Sequence, residues 1–101
     1  MQPVANLLQY TVKPERADEL TRRVREHLVP AMRQAPGYQG FLLLDQGEGK
    51  RLAIVLFENP DAARAAQRVI GPIGQEQTYA LMAEPPTFSL GTALIGDGRL
   101  A

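Results

Sequence analysis

Asn6 and Tyr10 stand on a segment, Val4 to Val12, that reads as a β-strand. Strand side chains alternate, so Val4, Asn6, Leu8, Tyr10 and Val12 share one face, and Ala5, Leu7, Gln9 and Thr11 the other. An amide and a phenol on one apolar face can hold a carbonyl or phenolate oxygen and stabilise negative charge that develops there. Asparagine is disfavoured amid apolar strand residues, and when buried its amide needs a partner. The plainer account gives Asn6 a backbone or cross-strand hydrogen bond, and Tyr10 a packed ring with its hydroxyl at the rim. Tyr79, on the last helical piece beside Met82, is a third candidate, as proton donor or lid aromatic. Simple packing is its alternative.

Other chemistries find little support. His27 is the sole histidine, and it falls at the edge of a helical stripe, where it reads as a boundary residue rather than a metal ligand. No Ser-His-Asp set can be built around it, and no paired carboxylates stand out. Arg64 and Arg68 form an i,i+4 pair that suits an anionic substrate or, more simply, a solvated face. Gly47 and Gly49 are not followed by a helix, so they do not make a phosphate loop. The chain of 101 residues has 11 basic and 11 acidic side chains and a net charge of zero, which leaves no electrostatic footprint for nucleic acid. Without cysteine there are no disulfides, thiolate sites or cysteine nucleophiles, a composition that fits a cytoplasmic protein. No segment reads as a secretory signal or membrane span, so no membrane partner is expected.

The elements that must position these residues follow from pattern. Lys13-Pro14-Glu15 starts a helix, and Ala17, Leu20, Val24, Leu28, Ala31 and Ala35 form its apolar stripe. Asp18/Arg22 and Glu19/Arg23 are i,i+4 pairs on its solvated side. Pro30 should kink the last turns, and Ala35-Pro36-Gly37 ends them. A hairpin follows, Tyr38 to Asp45 and Arg51 to Glu58, and neither strand alternates in polarity. Oily residues on both faces require both to be hidden from water. Asn59 caps a helix opened by Pro60 and running to about Ile70. Gly71-Pro72-Ile73-Gly74 is expected to break it before a second piece, Gln75 to about Ala83. A last strand spans Thr87 to Leu94.

The order β-α-β-β-α-β gives an α+β, ferredoxin-like fold with a four-stranded antiparallel sheet and helices on one side. Residues 1–95 make a single domain, and 96–101 a frayed tail. The sheet's other, apolar face is best covered by a second copy of the chain.

The pattern resembles the antibiotic biosynthesis monooxygenase family of dimeric α+β barrels. The resemblance is carried by Val4-Ala-Asn-Leu-Leu-Gln-Tyr-Thr-Val12 entering Lys13-Pro-Glu15, by Leu28-Val-Pro30, by Ala35-Pro-Gly-Tyr-Gln-Gly-Phe-Leu42 and by Phe57-Glu-Asn-Pro-Asp-Ala-Ala63. The family usually has a tryptophan near the position of Phe57, which this chain lacks. The resemblance implies a homodimer with a small-molecule pocket between the sheet and the second helical region. It also implies oxygenase chemistry without metal or flavin, or, in some members, no known reaction. A related branch degrades haem using an asparagine on the first strand, a tryptophan on the second helix and a histidine after it. Asn6 fits the first, but Ala65 to Gln77 holds neither of the others, so haem is not expected as a cofactor.

Together these readings assign Asn6, Tyr10 and Tyr79 to catalysis and Leu8, Phe41, Ile54 and Phe57 to the lining of the pocket. No cofactor or metal is called for. The expected activity is monooxygenation of a small apolar or phenolic molecule. The alternative is a non-catalytic ligand-binding or dimerising domain of the same fold.

Overall fold

The computed structural model describes residues 2–98. Four strands, β1 (Val4–Thr11), β2 (Tyr38–Asp45), β3 (Lys50–Phe57) and β4 (Thr87–Thr92), form one antiparallel sheet in the order β2-β3-β1-β4. β1 is central, with Asn6 opposite Val55 on β3 and Leu90 on β4. Helices α1 (Ala17–Arg23), α2 (Val29–Gln34) and α3 (Pro60–Thr78) lie on one face, giving the ferredoxin-like α+β fold.

The first helical arm is not uniform. A single 3-10 turn, Pro14–Arg16, leads into α1, and between α1 and α2 the residues Val24–Leu28 form a wide π-type turn. There the Val29 N–H reaches the carbonyl of Val24, five residues back. Pro30 has no N–H to offer the carbonyl of Glu26, and widening the turn lets the ladder step over that missing donor. Sequence predicts a kink at Pro30; the distortion falls on the turn before it. On the solvated side Glu19 pairs with Arg23 at 2.6 Å as expected, but Arg22 pairs with Glu26 at 2.8 Å rather than with Asp18.

α3 departs further from expectation. Asn59 caps it, its side chain accepting from the Ala62 N–H at 2.8 Å, and Pro60 is its first residue. The predicted break at Gly71-Pro72-Ile73-Gly74 does not occur: the helix runs through to Thr78 with Pro72 inside it. Ile70 and Ile73 pack against the core from this segment, and that burial outweighs the lost Arg68 carbonyl bond and the low helix propensity of glycine. Beyond Thr78 the chain tightens into a 3-10 turn, Tyr79–Leu81. Lys13 Nζ donates to the carbonyl of Ala80 at 3.0 Å, and Arg23 Nη1 to that of Gln77 at 3.0 Å, so cations meet the negative end of α3.

The core lies between sheet and helices. Its larger part joins Tyr10, Val12, Leu20, Val24, Leu28, Met32, Leu81 and Met82, and a smaller part joins Val4, Phe57, Ala63 and Ala66. α3 comes close to the start of β2 because Gly37, at φ +82°, has no side chain; a Cβ there would stand 2.7 Å from that of Ala62. β4 ends at Thr92 rather than Leu94, which is exposed. Of the predicted tail, residues 99–101 lie outside the described residues. No helix among the described residues is long and apolar enough to cross a membrane.

Candidate functional site

The strand alternation of β1 turns Val4, Leu8, Tyr10 and Val12 toward the helices, and Asn6 with them. Between this face and α3 lies a cavity of about 80 Å³. β1 contributes Asn6, Leu8 and Tyr10, the hairpin Phe41, Leu43, Ala53 and Val55, and the first arm Leu20, Val24, Leu28 and Met32. α3 contributes Gln67, Ile70, Gly71, Gly74 and Thr78, which recur at helical spacing, and Tyr79 follows at the end. The lining is mostly hydrocarbon and includes no carboxylate and no imidazole. Toward β4 the cavity meets an open groove of about 430 Å³ lined by Asn6, Gln67, Phe88, Ser89 and Leu90. Asn6, Gln67 and Phe88 line both spaces and therefore stand at the mouth.

The polar groups differ in what they have free. The Thr78 hydroxyl donates to the Gly74 carbonyl at 2.5 Å, so its proton is spent inside the helix. The Asn6 amide makes no side-chain hydrogen bond among the described residues, although it sits half-buried in mid-strand; neither does Gln67. Tyr10 is 7% exposed, and its hydroxyl is closed off and without a partner. Burial raises the Tyr10 pKa, while Arg51, its cross-strand neighbour, pulls it part-way back. The Arg51 guanidinium nevertheless spends its hydrogen bond on Thr21 Oγ1 at 2.7 Å, not on the phenol. Burial also raises the pKa of Tyr79. Both phenols are neutral donors at ordinary pH.

The structure thus gathers Asn6, Tyr10, Tyr79, Leu8 and Phe41 around one cavity. It separates the other two residues assigned to the lining. Ile54 projects from the opposite face of the sheet, because its neighbour Val55 is the one that packs against the helices. Phe57 is on the correct face but only 1% exposed, walled into the smaller cluster where Ala63 and Ala66 let α3 descend on it. Gln67 was not singled out by sequence; its signal is the i,i+4 relation to Gly71 on the cavity side of α3. His27 is exposed, and Arg64 pairs with Asp61 on the surface.

Residues 3–68 match the model of the antibiotic biosynthesis monooxygenase family. The chain belongs to that family. Solved structures agree on the fold. SnoaB, a cofactor-independent oxygenase from Streptomyces nogalater crystallised in mutant form, is 21% identical with a TM-score of 0.79, covering 95% of this chain and 97% of its own. A protein of unknown function from Nitrosomonas europaea is 16% identical with a TM-score of 0.83, covering 100% of this chain and 98% of its own. Rv0793 from Mycobacterium tuberculosis is 15% identical with a TM-score of 0.78, covering 95% and 99%. At these identities the likeness speaks for the fold alone. Among curated protein sequences none matches this family member significantly.

Proposed function

We propose that this chain binds a small aromatic molecule bearing a carbonyl or phenolic oxygen and oxidises it with dioxygen, without metal or flavin. The observation that carries this reading is the free amide of Asn6, held in mid-strand at the mouth of a hydrocarbon-lined cavity. That amide is not sealed off, since among the described residues only the Tyr10 hydroxyl is buried without a partner, so a ligand oxygen entering the mouth can take its N–H in place of water.

The enclosed space is below the roughly 300 Å³ usual for ligand pockets. One ring therefore enters, and the rest of a larger molecule lies in the groove beside Phe88 and Leu90. A hydroxyanthrone illustrates the chemistry. Its methylene, acidic beside the aromatic ketone system, ionises to an enolate. The enolate passes an electron to dioxygen, the radical pair couples at carbon, and the hydroperoxide loses water. The CH₂ group becomes C=O, one oxygen atom stays and the other leaves as water, so no outside reductant is needed. Asn6 donates to the enolate oxygen, and Tyr79 supplies a neutral O–H. With no carboxylate or imidazole in the lining, the first proton leaves to water, and the substrate must be acidic on its own account.

The test is oxygen uptake with 1,8-dihydroxyanthrone. One O₂ consumed per quinone formed, one labelled oxygen atom in the product, and a loss of tenfold or more in Asn6→Ala support the reading. Uptake no faster than protein-free autoxidation sinks it. Binding without uptake would leave the ligand-binding alternative, which the small enclosed volume and missing base favour.

The same reading makes the working unit a pair of chains. Leu7, Leu42, Leu44, Leu52, Ile54 and Leu56 occupy the sheet face away from the helices. A second copy docking there hides this surface at roughly 25 cal/mol per Å².

A further inference from the structure

Gln67 is the one long polar side chain among the α3 residues that face the cavity. Its position depends on a residue one turn on. A Cβ placed on Gly71 would stand 2.9 Å from the Gln67 Nε2 and 3.7 Å from its Cδ. The amide therefore lies down over Gly71, in space that any side chain at 71 would take. The next glycine behaves differently: a Cβ on Gly74 would meet only Leu28 Cδ2, at an ordinary 3.7 Å. Gly71 also precedes Pro72 within the helix, where the proline Cδ crowds the Cβ of the residue before it, so a side chain at 71 would meet the proline ring as well as the Gln67 amide.

We infer that Gln67, seated on Gly71, and Asn6, across the mouth on β1, form a two-amide clamp for the oxygen of a neutral aromatic ketone or phenol. Both amides line the cavity and the groove, Asn6 half-buried and Gln67 exposed, and neither is tied by a side-chain hydrogen bond to the described residues, so both are open to a ligand. Each offers N–H donors and a carbonyl acceptor, so the clamp accepts ketone and hydroxyl alike. It carries no charge, and the apolar surroundings of Phe88, Leu90 and Ile70 suit the ring rather than an ionic group. The clamp deepens the proposed function, resting on the same cavity, but it concerns binding and does not depend on turnover.

The experiment titrates the whole chain with 1-tetralone and with tetralin, which share an outline and differ by one carbonyl, followed by NMR shifts of the Asn6 and Gln67 amides. Gln67→Leu should weaken 1-tetralone about two- to tenfold, the usual range for one hydrogen bond, and leave tetralin unchanged. Gly71→Ala should weaken 1-tetralone by less than Gln67→Leu, because its Cβ moves only the far end of a flexible side chain, and it should lower the stability of the helix, because residue 71 precedes Pro72. Gly74→Ala should change neither ligand and should fold at least as well as the parent chain. Equal 1-tetralone affinity in Gln67→Leu and the parent overturns the clamp, as does an equal loss for tetralin. If neither ligand binds the parent chain, the clamp and the proposed function fall together. If the ketone binds through Gln67 but no anthrone is oxidised, only the oxygenase reading falls.

Discussion

At Asn6 an amide sits in mid-strand without a hydrogen bond to any described residue, so replacing it takes little from the fold. Asn6→Ala should stay within about 1 kcal/mol of the parent in denaturant unfolding while turnover collapses. A loss of several kcal/mol would show instead that the amide is structural. Tyr10 makes a separate prediction. Its phenol has a raised pKa in the folded chain, so the unfolded chain releases that proton first as pH rises past about 10. The stability it contributes is complete below that value and declines through the folded pKa above it. Tyr10→Phe should therefore flatten part of the alkaline fall in stability, Tyr79 retaining a share of its own, and it should not destabilise near pH 7, because the lost hydroxyl has no partner.

Among the elements, α3 shows where sequence reading stops. Asn59 and Pro60 announced its start because capping is a local matter. Gly71-Pro72-Ile73-Gly74 announced an end that tertiary packing overrode, since no local rule registers that Ile70 and Ile73 will face a core. Pro72→Ala restores the donor that the Arg68 carbonyl lacks, and thermal unfolding should rise by several degrees. An unchanged midpoint would mean that the helix has already relaxed around the proline. β1 and β3 mark a similar boundary. Alternation sorted Asn6, Leu8 and Tyr10 onto one face correctly, because period two is unambiguous. It sorted Ile54 from Val55 equally well, but nothing in the hairpin's uniformly oily sequence says which set the helices will choose. Phe57 failed for another reason: its fate was fixed by Ala63 and Ala66 on a different element.

For the molecule as a whole, the order of strands and the one-sided helices were legible, since the hairpin's doubly apolar strands and the β-α-β-β-α-β sequence leave few topologies. The occupant of the free face is a matter for solution measurement. Sedimentation should give a mass near twice 11.1 kDa, and Ile54→Glu, which points a carboxylate into that face, should halve it without loss of helical signal. A parent chain that sediments at 11.1 kDa removes the paired working unit.

The ties at the end of α3 carry a consequence of their own. Lys13 and Arg23 reach carbonyls 67 and 54 residues distant in sequence, one from the exit of the first strand and one from the first helical arm. Neither arm can fray at that end without releasing the other. Amide protons there should exchange with solvent in one cooperative opening that spans both halves of the chain, and the lining of the cavity should come apart in a single event rather than wall by wall.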